Sequence, residues 1–116
     1  MSSLSFAFEI QEAHQSLIVC GDIDVSTFTL FEAVMQSFAD NGTGKISIDL
    51  RRVHSFNSPA VGALVMLCAR RRGHGGIMHL VCTPTGVVTT MIQRARLDSV
   101  LNMKLLEADW TASSRT

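Results

Sequence analysis

The chain has 116 residues, ten Lys and Arg against ten Asp and Glu, a formal net charge of zero, and 47% hydrophobic residues. That length gives one domain with a core that needs no staples, because a chain of this size buries roughly 65% of its extended surface. The balanced charge removes the electrostatic case for nucleic acid as the main partner. The opening Met1-Ser2-Ser3-Leu4-Ser5-Phe6 lacks the basic and apolar regions of a signal peptide. The longest apolar stretch, Ala60 to Ala69, is too short to span a bilayer. A cytoplasmic protein with no membrane insertion is expected. Its three cysteines, Cys20, Cys68 and Cys82, have no C-x-x-C spacing and are expected to be reduced and mostly buried.

The predicted elements run as follows. Phe6–Ile10 is a half-buried strand, Gln11–His14 a polar turn, and Ser16–Cys20 a second strand, so the chain opens with a hairpin. Gly21-Asp22-Ile23-Asp24 leaves the sheet. Asp24 or Ser26 then caps a helix to about Asp40, with Leu30, Phe31, Val34, Met35 and Phe38 at helical spacing. Asn41-Gly42 stops it and Thr43-Gly44 continues the turn. Lys45–Leu50 is a strand. A second helix runs from Pro59 to about Arg72 and buries Ala60, Ala63, Leu64, Leu67 and Cys68.

Arg70, Arg71 and Arg72 fall in that helix's last turn and read as a solvated, dipole-matched end. Gly73-His74-Gly75-Gly76 breaks the helix, and Met78–Cys82 is a strand. Thr83 or Thr85 starts a third helix through Val87, Val88, Met91, Ile92 and Ala95. Leu97–Leu101 closes that unit, and Met103–Leu106 is a short last strand. The order β-β-α-β-α-β-α-β predicts an α/β fold, a mixed sheet of about four or five strands with helices packed on it. Residues 1–106 form the domain. Residues 107–116, polar apart from Trp110, form a tail.

The stretch Asp49 to Gly62 is the most informative. It reads as a strand end, a short connection, and a Ser58-Pro59 step that opens the second helix. Ser is a favoured N-cap, and Pro is tolerated where its missing N–H is not needed. Polar groups are thereby presented at a positive helix end, which suits an anion or a phosphate.

The chain resembles a STAS domain of the anti-sigma factor antagonist family. Gly21-Asp22-Ile23-Asp24 with Thr27 resembles the family's G-E/D-L/I-D-x-x-T after the second strand. Ile48-Asp49-Leu50 with Val53 resembles I-D-L-x-x-V/L. Asn57-Ser58-Pro59-Ala60-Val61-Gly62 lies where the family has D-S-S/T-G-L/I-G. Gly75-Gly76, Leu80-Val81 and Leu97-Asp98 match later pieces, ungapped from about Gly44 to Leu101.

The resemblance implies a module that binds a kinase-type anti-sigma factor and so frees a sigma factor. It implies a partner face formed by the loop holding Asp22 and Asp24 and by the second helix's first turns, with Asn57, Ser58, Pro59 and Val61. In the family the kinase phosphorylates the second hydroxyl residue of that motif. Here that position is Pro59, which has no hydroxyl, so the switch is either absent or moved to Ser58.

Plainer roles compete at each position. Ser58 can serve as an N-cap only, Asn57 as a turn residue bonded to nearby backbone, and Asp24 as a helix cap. Val61 and Val65 can face a partner or the core. Met35, Met66, Met78 and Met91 read as core fillers. His74 and His79 lack metal-ligand spacing, so neither a metal nor a cofactor is expected. No Ser-His-Asp or Cys-His order emerges, so no enzyme is expected. Two other roles remain open: a STAS subunit of a lipid ABC transporter, and a small-molecule or nucleotide sensor with a cleft beside Asn57-Ser58. Homodimerisation is also left open.

Overall fold

The computed structural model describes residues 3–11, 14–41, 45–73 and 76–107. In chain order the elements are β1 (Leu4–Gln11), β2 (His14–Asp22), α1 (Phe28–Asn41), β3 (Lys45–Ser55), α2 (Ser58–Gly73), β4 (Ile77–Cys82), α3 (Val87–Arg94) and β5 (Met103–Leu105). The five strands make one mixed sheet in the order β1-β2-β3-β4-β5. β1 is antiparallel to β2, and the later neighbours are parallel. The predicted α/β class, element order and mixed sheet therefore hold.

This topology makes the sheet one-sided. Each crossover moves one strand in the same direction, and right-handed crossovers of that kind put every helix on one face. The strand residues alternate accordingly. Leu17, Val19, Ile46, Ile48, Leu50, Met78, Leu80 and Cys82 are buried with the helices' Phe31, Met35, Ala60, Leu64, Leu67, Val88 and Ile92. The other face presents Ser16, Ile18, Ser47, Asp49, Val81 and Lys104 around a groove of about 350 Å³.

Several boundaries differ from the sequence reading. β2 continues through Gly21 and Asp22, and His14 belongs to it rather than to a turn. Gly21 reads as a break, but it sits in the sheet at φ 122°, and a Cβ there would collide with the Ser3 carbonyl. β3 runs to Ser55, past Leu50, by way of a register shift against β2.

Neither Asp24 nor Ser26 directly precedes α1. Both build the turn before it, and Thr27 supplies the first helical carbonyl, accepting from the Phe31 amide at 3.0 Å. α3 is capped by neither Thr83 nor Thr85. Gly86 precedes it with no side-chain cap, and the helix ends at Arg94 with Ala95 as its C-cap. β5 stops at Leu105.

Some side chains are also placed differently. Leu30 and Met66 are exposed rather than core. Arg71 is buried, and its guanidinium donates to the Ala39 carbonyl at 3.0 Å. The space it fills is closed on one side by Gly76, where a Cβ would press on the Arg71 side chain. The predicted turns at 12–13, 42–44 and 74–75, and the tail beyond 107, lie outside the described residues.

Candidate partner-binding site at the start of the second helix

The C-terminal ends of β2 and β3 bring the predicted site residues to one end of the sheet. Asp22 pairs with Ser55 across those strands. The Ser55 hydroxyl donates to Asp22 Oδ1 at 3.0 Å, and the Ile23 amide donates to the Ser55 carbonyl at 2.9 Å. The two loops that follow are therefore tied at their roots.

The first loop is held from within. Asp24 Oδ1 accepts from the Ser26 amide at 2.9 Å and the Ser26 hydroxyl at 2.6 Å. The Thr27 hydroxyl donates to the Asp22 carbonyl at 2.7 Å and accepts from the Asp24 amide at 3.0 Å. These bonds fix the backbone between Asp22 and α1 in one path. They leave Val25 93% exposed at the tip, a large apolar side chain aimed at solvent.

The second loop is anchored by Phe56, buried edge-on against Phe31 with ring centroids 6.3 Å apart. Asn57 then caps α2. Its Oδ1 accepts from the Ala60 amide at 3.1 Å, and its carbonyl also accepts from Ala60. The cap is therefore Asn57 and not Ser58, which is the first residue of the helix. Pro59 is the second, and it is still inside the turn whose N–H groups have no helical partner.

Ser58 and Pro59 are both exposed. With the cap supplied by Asn57, the Ser58 hydroxyl has no capping task and lies at the positive end of the helix. Val61 points the other way. It is 7% exposed and packed with the core, so in this conformation its side chain offers a partner almost nothing. Val65 is half-buried.

Ser58, Gly62, Met66 and Arg70 are all exposed at four-residue spacing, which makes one outward stripe along α2. Met66, 68% exposed, is the member that sequence reasoning misses, although its spacing from Ser58 is a sufficient signal. Below it, Glu32, Gln36, Ala63, Met66, Leu67 and Arg70 line a small hollow between α1 and α2 of about 60 Å³. Arg70 reaches across to Asp40 at 2.8 Å.

The reactive side chains elsewhere have other surroundings. Burial pushes the Cys82 thiol up to about 11 and also raises Cys68, so both stay protonated at neutral pH. His79 is held below the usual imidazole range by burial, then by Lys104, Lys45 and His14. The groove on the open sheet face contains the bidentate Asp49–Arg51 pair, 2.7 Å at its closest, and a His14–Ser47 hydrogen bond of 2.7 Å. Neither hollow includes Asn57 or Ser58. Among the described residues no cluster of three His, Cys, Asp or Glu is placed to hold a metal ion, and no helix is long and apolar enough to cross a membrane.

A one-sided mixed sheet of this order with three crossover helices has counterparts among known proteins. The family model described as "Mlab, STAS domain" matches residues 6–107. The chain belongs to the STAS domain family. Among solved structures, this STAS domain is similar to an anti-sigma factor antagonist from Mycobacterium paratuberculosis. The TM-score is 0.79 at 18% identity, covering 98% of this chain and 96% of that one.

It is also similar to the anti-sigma factor antagonist SpoIIAA in its unphosphorylated form, with a TM-score of 0.68 at 17% identity over 96% and 95% of the two chains. The phosphorylated form of the Bacillus cell fate determinant SpoIIAA gives 0.65 at 14% identity, over 97% and 100%. Identities this low establish a shared fold and leave the partner to be argued separately. No curated protein matches this STAS domain.

Proposed function

We propose that this STAS domain is an anti-sigma factor antagonist. It binds a kinase-type anti-sigma factor through the β2–α1 loop and the outer face of α2, and so frees a sigma factor. The observation that carries this reading is the exposed Ser58-Pro59 step on the Asn57-capped start of α2, beside a loop tied to it through Asp22 and Ser55. The contact residues are Asp22, Asp24, Asn57, Ser58 and Pro59, with Val25 and Met66 as apolar anchors. Val61 supports them from beneath.

The inactivating switch does not operate at Pro59, which has no oxygen to phosphorylate. The domain is therefore either held in its binding form or switched at Ser58. A phosphate brings about −1.5 to −2 charges. At a helix N-terminus the domain itself tolerates them. A partner packed on Ser58 would have to bury that charge or leave. Substituting Pro59→Ser introduces kinase sensitivity if the partner is a kinase of this type.

The missing hydroxyl also favours a second reading, in which the same face binds the ATPase of a lipid transporter and needs no phosphate switch. Purification of the tagged protein from its own cells, with mass spectrometry of co-eluting chains and of Ser58, separates the two. A histidine-kinase-like ATPase supports the antagonist, with phosphate on Ser58 marking the displaced switch. Transporter subunits, or no partner, overturn it.

A further inference from the structure

The geometry points to β1 as a self-association edge, on which a second copy of this chain pairs antiparallel through Leu4, Phe6, Phe8 and Ile10. β1 is one end of the sheet and is eight residues long, whereas the opposite edge, β5, has three. The Asp22 amide donates to the Ser3 carbonyl at 2.9 Å, in the register that pairs Leu4 with Gly21. Hydrogen-bonded and non-bonded pairs alternate along an antiparallel ladder. Ser3, Ser5, Ala7, Glu9 and Gln11 therefore turn their amides and carbonyls toward β2. Those of Leu4, Phe6, Phe8 and Ile10 point away from the sheet.

An edge of this kind is normally blunted by lysine, proline or a bulge. β1 has no lysine and no proline, it runs in unbroken register with β2, and its one charged residue is Glu9. An apolar ledge lies beside it. Phe8 is 61% and Ile10 72% exposed, and the Phe8 ring lies 5.7 Å from that of Phe38 on α1. Val34 and Leu30 continue the ledge from Phe38 at four-residue spacing, with Leu30 51% exposed.

The outward backbone groups require a strand as occupant, and the sequence of β1 fits itself. A two-fold axis through Ala7 places Phe6 opposite Phe8, Leu4 opposite Ile10, and Glu9 opposite Ser5. Every outward-bonding residue then meets an apolar partner, with aromatic cross-strand pairs and no carboxylate facing another. An axis through Glu9 would put like charges directly opposite. With the axis through Ala7 and normal to the sheet, the two helix layers lie on the same side and the two ledges meet. This surface is separate from the start of α2 and does not depend on which partner binds there.

The test is light scattering and sedimentation of the full chain across a concentration series, with two variants. The wild type is expected to form a concentration-dependent dimer. Ile10→Lys, at a mostly exposed position, should weaken association on the order of 100-fold, tenfold for each of two symmetric sites, and leave the melting temperature unchanged at concentrations where both proteins are monomeric. Ala7→Cys, in a Cys20→Ser background, should cross-link to itself under mild oxidation, because non-bonded antiparallel pairs bring Cβ atoms within disulfide reach. A wild type that stays monomeric at every concentration overturns the inference. So does a dimer that is unaffected by Ile10→Lys and in which the thiol introduced by Ala7→Cys stays reduced.

Discussion

The two ends of α2 are built on opposite plans. At its C-terminal end the arginines are bonded to other parts of the fold. Arg71 is buried and bonded to the Ala39 carbonyl, with Gly76 closing over it, while Arg70 joins Asp40 at the surface. At its N-terminal end only Asn57 is spent on the fold, and Ser58 and Pro59 face solvent. One end fastens the helix to α1, and the other leaves two side chains in solvent. Polar residues on the same helix thus divide by whether the fold already uses them.

Substitutions at the two ends sharpen that contrast. Arg71→Ala should cost the most, about 2–3 kcal/mol, because it strands a buried carbonyl and empties the space under Gly76. Chemical denaturation would show it as a lower midpoint. Asn57→Ala should cost about 1 kcal/mol, the usual effect of losing a cap. Ser58→Asp should act in the other direction, raising stability by about 0.3–1 kcal/mol through the helix dipole, visible as a small rise in melting temperature. Arg70→Ala should change stability least, by less than about 0.5 kcal/mol, because its partnership with Asp40 is half exposed on both sides. If Asn57→Ala proved costlier than Arg71→Ala, the contrast between the two ends would fail.

Much of this fold is legible in the sequence, and the remainder has physical reasons. The buried stripe Ala60, Ala63, Leu64, Leu67 and Cys68 follows from helical spacing and is buried as predicted. Arg71 is misplaced from sequence because a run of three arginines reads as one solvated end. Yet Arg71 continues the buried series 60, 64, 67 by a further four residues, and that spacing is the available signal. Ser58 reads as the cap because both Asn and Ser are good caps, and Pro59 is tolerated in either register. Only the Asn57–Ala60 hydrogen bond decides between them.

The length of β2 is hidden by Gly21, whose positive φ lets a residue that usually breaks a strand sit beside the Ser3 backbone. Asp22 stands out as a site residue, but its bond to Ser55 joins residues 33 apart, which no local pattern encodes. The exposure of Leu30 and Phe8 is equally hidden. Periodicity marks an apolar face without saying whether the sheet beneath extends far enough to cover it.

The decisive measurement is the affinity of the co-purified partner for Ser58→Asp and for Lys104→Ala, on the opposite sheet face, taken by calorimetry against the wild type. A partner seated on the start of α2 should bind Ser58→Asp at least about tenfold more weakly, with no loss of stability, and should bind Lys104→Ala with little change. Wild-type affinity in Ser58→Asp would contradict that placement, because the start of α2 would then lie outside the partner interface.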